Sequence, residues 1–87
     1  QVPFEELEPP APWGLLVCNA PYGERVGVGG ALPWERWGRL LAERWAGWRF
    51  AWVVPGALDP RRLGGTSVAR FENGGLPVQV VVGGGQR

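Results

Sequence analysis

The segment Val17–Gly23, VCNAPYG, brings together side chains that could hold a planar ligand carrying an amino group. Asn19 stands where the apolar run Gly14–Asn19 gives way to turn residues, and the single Tyr of the chain follows it closely. A carboxamide oxygen and a neighbouring backbone carbonyl can each accept one N–H of an exocyclic amino group. A tyrosine ring beside them offers a stacking surface for a nucleobase. These residue types therefore fit an unpaired base held by its amino group.

The chemistry that this arrangement favours is methyl transfer to the amino nitrogen of the base. The lone pair of such a nitrogen is delocalised into the ring, so the nitrogen is a poor nucleophile. Two acceptors that fix its hydrogens would aim the lone pair at a methyl donor. A base in a helix would have to be flipped out, or be unpaired already, to reach such a site.

Other kinds of site find little support in the composition. The chain has no His, which excludes a Cys–His nucleophile pair, and its carboxylates are scattered, so we expect no metal site. Cys18 is interpreted as a small buried apolar residue. The glycines of Gly27–Gly30 do not complete a dinucleotide-binding pattern, and we expect a flexible loop there. Arg61 and Arg62 are interpreted as a solvated pair, with contact to RNA phosphate as the alternative.

Apolar periodicity predicts the elements that must position the opening segment. The continuous apolar run Gly14–Asn19 predicts a strand covered on both faces, and Arg49–Val54 predicts a second buried strand. Pro33 fits the first turn of a helix, and Gly47 fits its left-handed stop position. The apolar face of that helix, spaced 3, 4, 4 and 3 residues, comprises Trp34, Trp37, Leu41, Trp45 and Trp48.

The remaining segments predict loops and a hairpin. Gln1–Trp13 is acidic and rich in Pro and predicts an extended lead-in, while Ala57–Gly65 predicts a loop with one helical turn. The runs SVARFE and LPVQVVV flank NGG, which predicts a β-hairpin because Asn-Gly accepts positive φ at both turn positions. We expect the tail GGGQR to be mobile.

The order strand, helix, strand, hairpin predicts an α/β fold. A parallel strand–helix–strand unit would be right-handed, and the hairpin would add antiparallel strands at the edge of the sheet. With 87 residues the chain forms one small domain, residues 1–87 as a single unit. One helix covers only one face of the sheet, so we expect something else to lie against the other face.

The segment GLLVCNAPYGERVG resembles motif IV of the amino-group methyltransferases that use S-adenosylmethionine, usually Asn-Pro-Pro-Tyr. Its GER extension is similar to the RNA guanine-N2 methyltransferases that often carry a THUMP domain. The pair Gly47-Trp48 before a strand and the late ENGGLPVQVVV are also similar to that branch. The resemblance covers about Gly14 to Val82. It implies a partial Rossmann-like sheet, the fourth to seventh strands of seven, and the C-terminal half of a catalytic domain.

The resemblance also implies roles for individual residues. The side chain of Asn19 and the carbonyl of Ala20 would accept the two hydrogens of the target amino group. Pro21 would stiffen the turn, and Tyr22 would stack on the base. Ala20 replaces the usual Pro of the motif, which keeps the carbonyl but loses the fixed φ. The implied substrate-contact residues are Gly23, Glu24 and Arg25.

The cofactor side of such an enzyme is largely missing from this chain. The Gly-rich loop for S-adenosylmethionine and the acidic residue after the second strand of the family have no counterpart. Phe4 corresponds in sequence order to the segment that contacts the adenine of the cofactor, and Asn19 would border the methyl donor. The chain begins at Gln1 and contains no Met, so we expect a fragment or processed product that cannot methylate RNA alone.

Two functions remain open at this point. The first is the target-base half of an RNA methyltransferase, acting on rRNA or tRNA, with guanine N2 favoured over adenine N6 by the GER extension. The second is a non-catalytic remnant or interaction module that binds a partner or itself through an exposed apolar face. The six Trp residues would suit either an interface with the missing half or self-association. The lone Cys indicates a reducing cytoplasm, and no apolar run is long enough to span a membrane.

Overall fold

The computed structural model describes residues 4–19 and 34–85. The described chain contains one α-helix, four β-strands and two short 3₁₀ turns. The elements are a 3₁₀ turn Phe4–Glu6, strand β1 Gly14–Asn19, helix α1 Trp34–Glu43, strand β2 Trp48–Pro55, a 3₁₀ turn Pro60–Leu63, strand β3 Gly65–Asn73 and strand β4 Leu76–Gly84. The predicted strand–helix–strand–hairpin order is confirmed.

The four strands form one mixed sheet in the order β1-β2-β4-β3. Strand β1 pairs with β2 in parallel, with Asn19 opposite Val53. Strand β4 is antiparallel to both of its neighbours. The last strand is therefore inserted between the second and the third, an order that the local sequence pattern does not encode. A mixed α/β sheet with one helix is consistent with the predicted partial Rossmann-like fold.

The hairpin is confirmed, but its turn lies one residue later than predicted. Asn73 ends β3 opposite Leu76, and the two-residue turn consists of Gly74 and Gly75. Their φ angles are 60° and 84°, a conformation that glycine adopts without a steric penalty. The predicted mobile tail is wrong at its start, since β4 continues to Gly84.

Helix α1 packs on one face of the sheet, and we call this the covered face. The helix presents Trp34, Trp37 and Leu41 at 3- and 4-residue spacing toward alternating apolar residues of β2. Trp45 after the helix and Trp52 of β2 complete the aromatic part of this core. The buried cluster consists of Trp34, Trp37, Leu41, Trp45, Phe50, Trp52, Val54, Leu58, Leu63 and Val81.

The predicted end of the helix is wrong. Helix α1 ends at Glu43, and Trp48 belongs to β2 rather than to the helical face. Gly47 does not have a positive φ, so it is not a left-handed stop. A side chain at this position would instead collide with the carbonyl oxygen of Pro12. A glycine is needed at position 47 because the N-terminal residues approach its backbone closely. The local sequence pattern does not reveal this approach.

The N-terminal residues form a strap, residues 4–13, over the edge of the covered face rather than an extended lead-in. The indole Nε1 of Trp37 donates to the Glu5 carboxylate at 2.8 Å. The Arg44 guanidinium donates to the carbonyls of Glu5 and Leu7 at 2.7 and 3.0 Å. The indole of Trp48 donates to the carbonyl of Ala11 at 2.9 Å. Hydrogen bonds from side chains of α1 and its flanking residues therefore fix the strap.

The opposite side of the sheet, which we call the open face, is exposed along β1. Leu15 and Val17 of β1 are 61% and 69% exposed, and Trp13 just before the strand is 71% exposed. The expectation that β1 is covered on both faces is therefore wrong for this part of the chain. The accompanying expectation, that something else lies against the second face, stays a prediction.

Candidate functional site

Asn19 lies at the carboxyl end of β1, where α/β sheets place ligands. The residue is exposed, and it stands opposite Val53 of β2. Burial alternates along β1, with Leu16 and Cys18 packed toward the covered core. Asn19 therefore belongs to the other set of positions, with Leu15 and Val17 on the open face. Its carboxamide is available to a ligand at this edge.

The other residues predicted for base binding and substrate contact lie outside the described residues. They are Ala20, Pro21, Tyr22, Gly23, Glu24 and Arg25. Their roles stay predictions, as does the loop predicted for Gly27–Gly30. Of the predicted base-binding set, the structure thus positions Asn19 alone.

Cys18 faces away from the side of the sheet that carries the Asn19 side chain. Its thiol packs against the covered core, and burial raises its pKa above the ordinary value. A raised pKa keeps the thiol protonated at neutral pH, which lowers its nucleophilicity. The position thus suits the predicted structural role of a small apolar residue.

Phe4, the residue predicted beside the cofactor, lies among the tryptophans of the covered face. Its ring centroid is 5.0 Å from that of Trp52 in an edge-on contact and 6.0 Å from that of Trp45 in a stacked one. A third ring contact, the second that is edge-on, joins it to Trp37 at 6.3 Å. Phe4 thus anchors the strap, and contact with a cofactor stays a prediction.

The turn at residues 55–58 lies at the end of β2, on the same end of the sheet as Asn19. Gln79 of β4 is completely buried, and its Nε2 donates to the carbonyls of Leu58 and Pro55 at 2.7 and 3.0 Å. Sequence reasoning missed this contact. The available signal was one amide within the apolar run LPVQVVV, which has no partner in the local sequence.

The Arg61 and Arg62 side chains are both engaged in ion pairs. Arg61 chelates Asp59, with Nη2 2.8 Å from Oδ2. Hydrogen bonds from the Arg61 side chain and backbone lower the Asp59 carboxyl pKa to about 2. Arg62 lies 3.7 Å from the carboxylate of Glu35. All four side chains are at least 43% exposed, so these ion pairs are weak, and RNA contact by the arginines stays a prediction.

Within residues 4–19 and 34–85, no group of three or more potential metal ligands is present. The described helix is also too short and too polar to cross a membrane.

The fold and the edge position of Asn19 define a partial Rossmann-like α/β unit with a polar side chain at the end of a parallel strand. No family model and no solved structure matches the chain. The chain is 45% identical over 80 residues, 85% of its length, to "Putative RNA methyltransferase slr0064" from Synechocystis sp.. It is 32% identical over 88 residues, 92% of its length, to "Ribosomal RNA large subunit methyltransferase K/L" from Saccharophagus degradans.

These comparisons relate the chain to a segment of RNA methyltransferases, as its sequence resemblance to such enzymes predicts. The assignment of motif IV itself stays a prediction. The chain spans 20% of the length of the Synechocystis protein and 12% of the Saccharophagus protein. Both relatives therefore contain far more chain than the sheet described above. The guanine-N2 branch with a THUMP domain stays a prediction.

Proposed function

We propose that the chain is the target-base half of an RNA methyltransferase that uses S-adenosylmethionine. The observation that carries this proposal is Asn19 at the open carboxyl end of β1, in a chain 45% identical to a segment of a protein named as an RNA methyltransferase. The Asn19 amide oxygen and the carbonyl of Ala20 accept the two hydrogens of an exocyclic amino group. The nitrogen lone pair then points toward the sulfonium methyl group, and Tyr22 stacks on the base.

In the transfer step the amino nitrogen attacks the methyl carbon and the bond from that carbon to sulfur breaks. The methyl group moves to nitrogen, the sulfur keeps the bonding electron pair, and the amino group loses one proton to solvent. The hydrogen bonds to Asn19 and Ala20 strengthen as positive charge develops on the nitrogen, so they stabilise the transition state more than the bound base. We favour guanine N2 as the acceptor because of the extension Gly23–Arg25.

The rest of the site comes from the part of the enzyme that binds the methyl donor. The open face supports this proposal, because Leu15 and Val17 leave a large apolar area uncovered beside Asn19. We propose that the missing half docks there and along the edge of β1 that pairs with no described strand. The 87-residue chain by itself therefore transfers no methyl group to RNA. Methyl transfer from labelled S-adenosylmethionine to RNA by the isolated chain would contradict this.

A chimera tests the role of Asn19 directly. The homologous segment of the Synechocystis relative is replaced by this chain, and methyl transfer to unpaired RNA is measured together with S-adenosylmethionine binding. Asn19→Ala should lower the rate by at least about 100-fold, as loss of a transition-state hydrogen bond does, while cofactor binding is kept. Thr66→Ala, at an exposed polar position of β3, is the control and should leave the rate unchanged. A wild-type rate in Asn19→Ala would refute the assigned role.

The products of the same reaction identify the acceptor. Digestion of the methylated RNA to nucleosides should yield N2-methylguanosine. Recovery of N6-methyladenosine instead would keep the proposed chemistry and overturn the preference for guanine.

A second function, an interaction module without catalysis, has the open face as its supporting observation. Sedimentation of the isolated chain and of Leu15→Glu separates the two functions. A dimer that Leu15→Glu dissociates, together with an inactive chimera, would favour the interaction module. An active chimera that loses methyl transfer on Leu15→Glu favours docking of the missing half.

A further inference from the structure

Strand β3 is the end strand of the sheet and pairs only with β4 among the described strands. Residues 69–73 of β3 are all exposed, and each stands opposite one residue of β4. A shift in register between Ser67 and Ala69 interrupts the pairing just before this segment. The side of residues 69–73 that points away from β4 is therefore a regular strand edge, and we call it the outer edge.

The pairing with β4 determines which backbone groups point toward the outer edge. Glu72 stands opposite Pro77, which has no N–H, and the Pro77 carbonyl accepts instead from the Gly56 N–H at 3.0 Å. Glu72 and Pro77 therefore exchange no backbone hydrogen bonds. Because bonded and non-bonded pairs alternate along an antiparallel ladder, Arg70 and Gln79 form the next pair without such bonds. The backbone N–H and C=O groups of Arg70 and Glu72 thus point away from β4.

The side chains along the outer edge have an order that is complementary to itself. Arg70 and Glu72 share one face of the strand, and Phe71 between them lies on the other face and is 46% exposed. In an antiparallel pair of two such edges, with Phe71 opposite its own copy, each Arg70 faces the Glu72 of the other chain. The outward backbone groups of these two residues then bond to each other across both pairs.

The charges oppose the other registers that satisfy the same backbone groups. Sliding one edge by two residues places Arg70 opposite Arg70, or Glu72 opposite Glu72, and like charges directly opposite each other destabilise a strand pair. Sliding it by one residue places Phe71, whose backbone bonds to β4, opposite a residue whose backbone points outward. Charges at a sheet edge usually discourage pairing, whereas this order permits one register with a second copy.

The present contact of Arg70 can be exchanged for the new one. Its guanidinium donates to the Gly56 carbonyl at 2.8 Å in an exposed position. The Glu72 carboxylate of a second copy is a stronger acceptor, because its bond to a guanidinium is charge-assisted. The Gly56 carbonyl keeps a second donor, the Gln79 Nε2 at 3.4 Å.

We propose that two copies of the chain associate through the outer edge, with Arg70 opposite Glu72 in both directions and Phe71 opposite Phe71. The two sheets then form one continuous sheet across a two-fold axis. The facing Phe71 rings bury apolar area at the centre, and the ion pairs fix the register. The interface lies at the end of the sheet opposite β1, so Asn19 stays accessible to the missing half.

Sedimentation of the 87-residue chain at rising concentration tests the association. The wild type and Leu15→Glu should both dimerise with a dissociation constant below about 1 mM, because Leu15 lies on β1, away from the outer edge. Arg70→Glu and Glu72→Arg should each raise this constant at least about tenfold, because like charges then face each other in both pairs. An equimolar mixture of these two variants should return to within about threefold of the wild type, because opposite charges face each other again.

Oxidation of a cysteine at the centre of the interface tests the register. In Phe71→Cys with Cys18→Ser, the two thiols face each other at a non-bonded pair with Cα atoms about 4.5 Å apart, within the range of a disulfide. Val68→Cys with Cys18→Ser is the control, since Val68 is 59% exposed but lies roughly 20 Å from its own copy in this register. The disulfide-linked dimer should form at least about tenfold faster in the Phe71→Cys variant.

Several results would overturn the proposed dimer. These are a wild type that stays monomeric at about 1 mM, a mixture of the charge variants that does not recover association, and equal rates of disulfide formation in the two cysteine variants. A dimer that Leu15→Glu dissociates would place the contact on the open face and overturn it as well. The role of Asn19 is tested separately by the chimera, because Asn19 lies on the opposite end strand of the sheet.

Discussion

On one side of the sheet Phe50, Trp52 and Val54 are at most 4% exposed, whereas on the other side Leu15 and Val17 are more than half exposed. Both sides are apolar, and they differ in what lies against them. Helix α1 and the strap cover one face, while on the other face Leu15 and Val17 of β1 stay exposed. A strand that is apolar on both faces but buried on only one indicates that a second partner covers the exposed face. Without such a partner, the exposed apolar area would be unfavourable.

The comparison also shows where the proposed chemistry lies. The Asn19 carboxamide belongs to the open face, and the thiol beside it belongs to the covered face. The covered face therefore supplies stability, and the open face with its carboxyl edge supplies the proposed site. Whatever covers the open face will border Asn19, so docking of the missing half and completion of the site are one event in this proposal.

The largest effect should come from matched leucine truncations on the two faces. Leu41→Ala opens a cavity in the covered core and should lower the free energy of unfolding by about 2–5 kcal/mol. Leu15→Ala removes an exposed side chain from the open face and should change the free energy of unfolding by less than about 0.5 kcal/mol. Urea unfolding of both variants measures the difference. Comparable losses, or a concentration-dependent loss in Leu15→Ala, would mean that the open face is already covered in solution.

A smaller effect should follow from removing the acceptor that anchors the strap. Glu5→Ala leaves the indole N–H of the buried Trp37 without its carboxylate partner and should cost about 1–3 kcal/mol. Glu6→Ala, at the exposed next residue, is the control and should be near neutral. Thermal unfolding of the two variants measures the contrast. Equal midpoints would show that the strap does not contribute to covering the helix side of the sheet.

Much of this fold is predictable because its local signals are strong. Strand β1 has the predicted bounds, and the alternating residues of β2 and the turn glycines identify the next strand and the hairpin. The insertion of β4 between β2 and β3 is not predictable locally, because strand order depends on contacts between residues distant in sequence. The role of Gly47 depends likewise on a distant carbonyl. The position of Asn19 at a strand end was predictable, whereas the anchoring of a turn by Gln79 required the tertiary structure.

Thiol labelling compares the solvent exposure of the two faces, in variants whose stability should differ little from that of the wild type. Cys18 faces the covered core with a raised pKa, so 5,5′-dithiobis(2-nitrobenzoate) should react slowly with the folded wild type at pH 8. In the double variant Val17→Cys and Cys18→Ser the thiol stands on the open face and should react at least about tenfold faster. Both thiols should react equally fast in urea. Slow labelling of the Val17→Cys thiol in the folded chain would show that another chain covers the open face.

The smallest predicted effect is on the stability of the fold at low pH, and it should arise only on the covered face. Asp59 accepts the Arg61 backbone N–H at 3.0 Å and caps the 3₁₀ turn that brings Leu63 into the core. The pKa of Asp59 is lowered from 3.8 to about 2, so the charged form stabilises the fold fully above pH 4. This contribution is lost as the pH falls through about 2. Unfolding of Asp59→Asn should therefore depend less on pH than the wild type between pH 4 and pH 2. Identical acid profiles for Asp59→Asn and the wild type would contradict a stabilising role for the cap.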